Sequence, residues 1–174
     1  MTYKLPSEWL PACRMSRVIL HWSAGAYRVS DLDREHYHFI VDGNAGVVRG
    51  EHSIADNVNT ADDDYAAHTR GCNTGSIGVS MACMAGATEV PFRAGSFPMK
   101  EIQWRRAAEV VAHLVSVYKI DLTDKTVLTH AEVQPNLGIR QNGKWDVTRL
   151  PFDRKTVGAK PCGDAFRALV RSFM

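Results

Sequence analysis

The sequence has no hydrophobic run long enough to cross a membrane. A membrane helix needs about 20 consecutive apolar residues, and charged side chains interrupt the first twenty residues at Lys4, Glu8, Arg14 and Arg17. We therefore expect neither a signal peptide nor a membrane-spanning segment, so the chain should be cytoplasmic when synthesised. To act outside the cell, the chain would then need another protein or process to carry it across the membrane.

The chain also lacks a marked excess of one charge. It carries 21 basic and 19 acidic residues, a formal net charge of +2, and no block of like charges. This balance argues against a nucleic-acid partner. The cysteines, at positions 13, 72, 83 and 162, are widely spaced and include no CxxC pair. We expect them to remain reduced thiols.

The chain is long enough to form one packed core. Its 174 residues are 45% hydrophobic and 23% charged, close to the average for globular proteins. Two ordinary domains would need a longer chain, and no internal repeat is visible. We therefore expect residues 1–174 to form a single domain.

Hydrophobic periodicity predicts alternating strands and helices. Short apolar runs predict strands at Arg17–Trp22, Tyr37–Val41, Val47–Gly50, Ile77–Ala82 and Thr126–Thr129, with the second and third forming a hairpin. Helices are expected at Asp31–His36 with Ser30 as N-cap, after Pro98 with an apolar stripe from Trp104 to Tyr118, and at about 164–173. The segment Ala131–Leu150 contains Pro, Gly and Asn and is expected to be a long loop.

Two histidines fall at the ends of predicted buried strands. His21 lies near the end of the first strand, and His130 directly follows the last. Strand ends can bring such side chains into one cleft, and Asp146 supplies a carboxylate further along. Two histidines and one carboxylate leave a fourth zinc position for water, as hydrolytic zinc requires. Taken singly, however, a strand-end histidine is more often a hydrogen-bonded structural residue.

Four segments, in the same order, resemble the zinc-dependent N-acetylmuramoyl-L-alanine amidases, a family that includes phage lysis enzymes and animal peptidoglycan recognition proteins. The likeness covers about residues 16–152. The matching segments are ILHWSAG at His21, HYHFIVDGNAGVVRG at Tyr37, AAHTRGCNTGSIGVSM, and THAEVQP at His130 with the later GKWD at Asp146. The resemblance implies an α/β fold with a central mixed β-sheet flanked by helices.

The resemblance also implies an activity and a set of site residues. The expected reaction is zinc-dependent hydrolysis of the amide between N-acetylmuramic acid and L-alanine in peptidoglycan or a muropeptide, by a monomeric phage or prophage endolysin. Its implied metal ligands are His21, His130 and Asp146, its catalytic residues are Tyr37 and Lys144, and its substrate-contacting residues are His68 and Asn73.

The sequence departs from the family pattern near the third ligand. Asp146 follows an inserted-looking stretch, Asn136–Asn142, and Val147 stands where relatives have proline, so Asp153 is an alternative carboxylate. Some relatives have a catalytic glutamate in the Ile77–Ala82 segment, where this chain has Ser80 and Met81. The catalytic work would then fall on the tyrosine and the lysine.

Several alternatives remain open. His36 and His38 alternate along the chain and could form a metal pair, although packed and surface roles are the simpler interpretation. Glu132 could orient the ring of a metal-binding histidine without itself binding the metal, or it could be an exposed surface residue. A missing ligand would leave a peptidoglycan-binding module without catalysis. One phage relative also inhibits a polymerase, but no segment here indicates such a surface.

Overall fold

The computed structural model describes residues 3–174 and contains two groups of strands with helices packed around them. The strands are β1 (Arg17–Trp22), β2 (Phe39–Val41), β3 (Val47–Arg49), β4 (Ser76–Met81), β5 (Val127–Thr129), β6 (Arg149–Leu150) and β7 (Asp153–Val157). The α-helices are α1 (Asp31–His36), α2 (Glu101–Tyr118), α3 (His130–Leu137) and α4 (Ala159–Arg171). Short 3-10 turns lie at Ser7–Trp9 and Ile54–Val58.

The central sheet has the strand order β3-β2-β4-β1-β5. Strand β1 pairs in parallel with β4 on one side and β5 on the other, and only β3 runs antiparallel to its neighbour. Five of the six β1 residues are buried, as expected for a central strand with parallel neighbours on both sides. The predicted α/β fold with a mixed central sheet is confirmed.

The long helix α2 covers one face of the sheet with the predicted apolar stripe. Trp104, Ala108, Val111 and Val115 are buried along it, and the Trp104 ring packs edge-on against Phe166 of α4 at 4.8 Å between centroids. The short helix α1 begins at the predicted N-cap, because Ser30 accepts from the backbone N–H of Asp33. Local capping and periodicity therefore predicted these helices well.

The prediction of one long loop over Ala131–Leu150 was wrong. Helix α3 occupies the beginning of that segment, and β6 at its end pairs with β7 in a small antiparallel hairpin. Pro135 and Gly138 obscured the helix, yet Thr129 followed by Glu132 is a capping-box signature that indicated its start. The last helix also begins at Ala159 rather than near 164, because a proline is tolerated in a first turn whose N–H groups lack helical partners.

The four cysteines are free thiols, as expected. Cys72, Cys83 and Cys162 are buried, and Cys13 is half-buried. Burial raises the pKa of Cys83 and raises that of Cys162 to about 12. None of the described helices combines the length and apolar character needed to cross a bilayer.

Candidate metal centre and cleft

The three predicted metal ligands converge at one buried point. Asp146 Oδ2 lies 3.0 Å from His21 Nδ1 and 3.1 Å from His130 Nδ1. One potential ligand atom from each of the three residues lies within 4.8 Å of the others. Their exposed fractions are 0%, 4% and 9% for His21, His130 and Asp146. The structure therefore brings together the set that the sequence predicted.

The topology explains this convergence. Strands β1 and β5 are parallel neighbours, so their carboxyl ends meet at one edge of the sheet. His21 lies near the end of β1, and His130 begins α3 immediately after β5. The backbone N–H of Ala131 donates to the carbonyl of Asp146 at 2.6 Å, which ties the loop carrying the carboxylate to the start of α3.

The far side of each histidine ring has a polar neighbour. His130 Nε2 lies 2.9 Å from Gln141 Oε1, and His21 Nε2 lies 3.4 Å from Thr69 Oγ1. Such outer partners orient a ligating ring and select its tautomer. Neither Gln141 nor Thr69 was predicted, because each contacts a ring only through the folded chain.

The electrostatics of the group suit a cation. Burial lowers the pKa of His21 to about 4, although its hydrogen bond to Asp146 opposes that shift. Burial alone would raise the pKa of Asp146, but its close contacts with the His130 and His21 rings lower it to about 2. At neutral pH the group therefore offers an uncharged imidazole beside a carboxylate. This donor set fits a zinc-type metal ion.

A cleft of about 830 Å³ opens above this group. Six of the predicted site residues line this cleft: Tyr37, His68, Asn73, His130, Lys144 and Asp146. The seventh, His21, is fully buried behind them. Trp22 and Trp145 also line the cleft and pack edge-on against each other, with centroids 4.8 Å apart. Two aromatic side chains therefore form one wall of the cleft beside the polar metal group.

The two predicted catalytic residues approach the metal group differently. Tyr37 is the C-cap of α1 rather than part of β2, and its ring lies 5.1 Å from the His21 ring between centroids. Burial, followed by the charges of Asp146 and Asp33, raises the pKa of Tyr37, so its hydroxyl stays protonated and can donate a hydrogen bond. Lys144 is exposed on the cleft rim, and its charge contributes to lowering the pKa of His21.

His68 and Asn73 belong to the cleft wall. His68 is buried, with Nδ1 2.9 Å from Thr69 Oγ1 and Nε2 3.4 Å from the carbonyl of Ser76. Asn73 Oδ1 accepts from the backbone N–H of Thr69 at 2.7 Å. These contacts hold the loop before β4 in shape next to the metal group.

The structure separates the other candidates from this site. His36 Nδ1 contacts the carbonyl of Leu32, whereas His38 is buried between Asn57 Oδ1 and the backbone N–H of Gly78. The two therefore do not share a ligand position. Asp153 lies in β7 and accepts from the hydroxyl of Thr156 at 2.6 Å.

Glu132 contacts no ligand ring. Its Oε2 accepts from the backbone N–H of Thr129 at 2.9 Å, which caps α3 one residue before His130. Both of its carboxylate oxygens also accept from the guanidinium of Arg167, at 2.9 and 2.8 Å. Its effect on the site is therefore exerted through the helix that carries His130.

Two histidines at the carboxyl ends of parallel strands and an aspartate from a loop meet beneath an open cleft, and this arrangement defines a candidate metallohydrolase. The N-acetylmuramoyl-L-alanine amidase family model matches residues 11–148, which is more than half of the chain. The chain belongs to this family and is an amidase of peptidoglycan.

Solved structures share the fold. The chain is similar to the endolysin N-acetylmuramoyl-L-alanine amidase LysCS from Clostridium intestinale URNW, with a TM-score of 0.53 and 12% identity over 91% of this chain and 84% of that one. The amidase LysC from the same organism gives a TM-score of 0.53 and 12% identity over 91% and 86% of the two chains. No curated protein matches the sequence.

Proposed function

We propose that this chain is a zinc-dependent endolysin that cuts the amide bond between N-acetylmuramic acid and L-alanine. The observation that carries the proposal is the convergence of His21 Nδ1, His130 Nδ1 and Asp146 Oδ2 under the cleft. Two nitrogens and one carboxylate oxygen form the ligand set of hydrolytic zinc, with a fourth position for water. The proposal includes a phage or prophage origin and action on the wall as a monomer after release; the chain shares its fold with a clostridial endolysin.

The residues around the metal group have separate roles in this proposal. When bound there, zinc supplies an acidified water at neutral pH and polarises the scissile carbonyl. Lys144 brings its ammonium from the cleft rim to the carbonyl oxygen, where negative charge develops during attack. Tyr37 donates a hydrogen bond from its hydroxyl to the same oxygen or orients the water, since its raised pKa keeps the hydroxyl protonated.

The wall loop orients the substrate in this proposal. His68 and Asn73 line the cleft and are linked through Thr69, which also contacts the His21 ring. A sugar or peptide group placed against this loop would lie next to the metal group. The loop thus contributes binding and orientation rather than proton transfer.

Digestion of purified peptidoglycan tests the bond assignment. The expected result is new free amino groups on L-alanine with no rise in reducing sugar ends, and loss of activity with a chelator until zinc is restored. A glycosidase would instead release reducing ends, and such enzymes usually use two carboxylates flanking the bond. New amines only on a later stem residue would also contradict the proposal, because the enzyme would then be a peptidase.

Metal content tests the ligand assignment independently of activity. The purified chain should contain about one zinc, and His21→Ala, His130→Ala and Asp146→Ala should each lose it. His52→Ala is a matched control, because His52 pairs with the exposed Asp64 at 3.2 Å outside the metal group. Full zinc content in any of the three ligand variants would contradict the assignment.

No observation favours the alternative of a binding module without catalysis. That alternative required a missing ligand, and Asp146 lies within hydrogen-bonding distance of both histidines. Asp153, the alternative carboxylate, lies elsewhere in the β6–β7 hairpin.

A further inference from the structure

Both side-chain amide atoms of Gln141, and its backbone N–H, have hydrogen-bond partners. It is 5% exposed and lies between α3 and Asp146. Its Nε2 donates to the carbonyls of Arg70 at 2.9 Å and Ile139 at 3.4 Å, and its backbone N–H donates to Gln134 Oε1. The remaining amide atom, Oε1, lies 2.9 Å from His130 Nε2.

These contacts determine which way the amide faces. Both neighbours of Nε2 are carbonyl oxygens, which only accept hydrogen bonds. A reversed amide would place its oxygen against both carbonyls and lose those bonds. Oxygen is therefore the atom of Gln141 that faces the His130 ring.

The orientation of the amide in turn determines where the ring carries its proton. An amide oxygen has no proton to give, so the hydrogen bond requires a proton on His130 Nε2. A neutral imidazole has only one ring proton. Nδ1 is then left with a lone pair directed at the metal group, where Asp146 Oδ2 lies 3.1 Å away.

Asp146 favours the opposite arrangement when no metal is bound. Its Oδ2 is an acceptor beside His130 Nδ1, so a neutral ring could instead donate from Nδ1 to the carboxylate. A proton on Nδ1 would block that nitrogen as a ligand. The acceptors on the two sides of the ring therefore compete for its single proton, and only the Gln141 side leaves the ligand position open.

We propose that Gln141 is a positioning residue that holds the His130 proton on Nε2 and so keeps Nδ1 ready to bind the metal. The inference rests on the proposed zinc site. It adds a residue in the inserted-looking stretch to the machinery of that site. Because the same amide is tethered to the carbonyl of Arg70, it also links the ligand ring to the cleft wall.

Nitrogen NMR of the His130 ring in the metal-free protein tests this directly, at a pH at which the ring is neutral. The wild-type ring is expected to carry its proton on Nε2. Gln141→Met removes the acceptor at similar length, so the proton should move towards Nδ1. Zinc affinity, measured by competition with a chelator of known affinity, should fall about 10- to 100-fold, the usual effect of losing such a partner.

Two further variants distinguish the effect of the His130 tautomer from the effect of losing the other contacts of Gln141. Gln141→Glu keeps an acceptor at the ring but loses the donors to Arg70 and Ile139, so it should retain the Nε2 proton and bind zinc more tightly than Gln141→Met. Gln134→Met is the matched control. Gln134 is exposed and its side chain accepts a hydrogen bond from the backbone N–H of Gln141 rather than from the His130 ring, so this variant should leave the tautomer and the affinity near those of the wild type.

A wild-type ring protonated on Nδ1 would overturn the inference, and this measurement does not depend on any variant folding. Wild-type tautomer and zinc affinity in Gln141→Met would also overturn it. These results differ from failure of the proposed function, which would appear as no stoichiometric zinc binding by the wild-type chain.

Discussion

Replacing Arg167 with methionine is expected to destabilise the protein strongly. The guanidinium donates to both carboxylate oxygens of Glu132, to the carbonyl of Val127 at 2.9 Å and to Asp164 at 2.7 Å. Glu132 is 1% exposed, so the substitution leaves a buried carboxylate whose other donor is the backbone N–H of Thr129. Breaking one side of a buried ion pair costs about 3–5 kcal/mol.

The contact to Asp164 adds little to this figure. The side chain of Asp164 is 50% exposed and also pairs with Lys160, whose side chain is 80% exposed. Exposed pairs contribute about 0–1 kcal/mol. Lys160→Met on the same helix is therefore a matched control that should change stability by less than about 1 kcal/mol.

Urea unfolding of Arg167→Met, Lys160→Met and the double variant Glu132→Leu/Arg167→Met would measure these free energies. The double variant should be more stable than Arg167→Met alone, because replacing both members of a buried ion pair by apolar residues removes the stranded charge. It still loses the hydrogen bond from the Thr129 N–H to Glu132, and a typical hydrogen bond contributes about 1 kcal/mol. The reasoning fails if Arg167→Met costs no more than Lys160→Met, or if the double variant is the least stable of the three.

Three other perturbations have defined outcomes. Lys144→Ala should keep its zinc and lose roughly 100-fold or more in turnover, which is the usual effect of removing one group that stabilises an oxyanion. Loss of zinc, or unchanged turnover, would contradict this role of Lys144. Gly78→Ala would place a methyl group 2.7 Å from the His68 ring, so unfolding by urea should need less denaturant than in the wild type, and an unchanged midpoint would contradict this close packing. In the metal-free protein, burial lowers the pKa of His21 to about 4 and that of His38 to about 3. Histidines in the unfolded chain have a pKa of about 6.5, so below this pH the unfolded chain binds more protons than the folded protein. The free energy of unfolding should therefore fall as the pH is lowered from about 6.5 to 4, and a flat profile over that range would be inconsistent with these buried neutral rings.

The sequence predicted those parts of the site that depend on strand ends. Because parallel strands share an edge of the sheet, histidines at the ends of two apolar runs were expected in one cleft, and His21 and His130 do converge beneath it. Their assignment as metal ligands depended on the family resemblance. Asp146 followed only from resemblance to a family, since nothing in its local pattern distinguishes it from other loop carboxylates.

The supporting contacts could not be predicted because they join distant segments. Gln141 meets the carbonyl of Arg70 across 71 positions, and Arg167 meets Glu132 across 35. A local signal did exist for the second pair: Gly163 lies inside α4, where a Cβ would lie 2.1 Å from the Glu132 carboxylate. A glycine within a helix thus marked a close approach, but its partner became clear only from the structure.

Burial of three free thiols, Cys72, Cys83 and Cys162, limits their access to oxidants. With no disulfide to form, the chain needs no oxidant to reach its native state, and a reductant has no cross-link to remove. Thiols react as thiolates, and burial disfavours that form in Cys83 and Cys162. We expect the three buried thiols to keep the same covalent structure in reducing and in oxidising conditions.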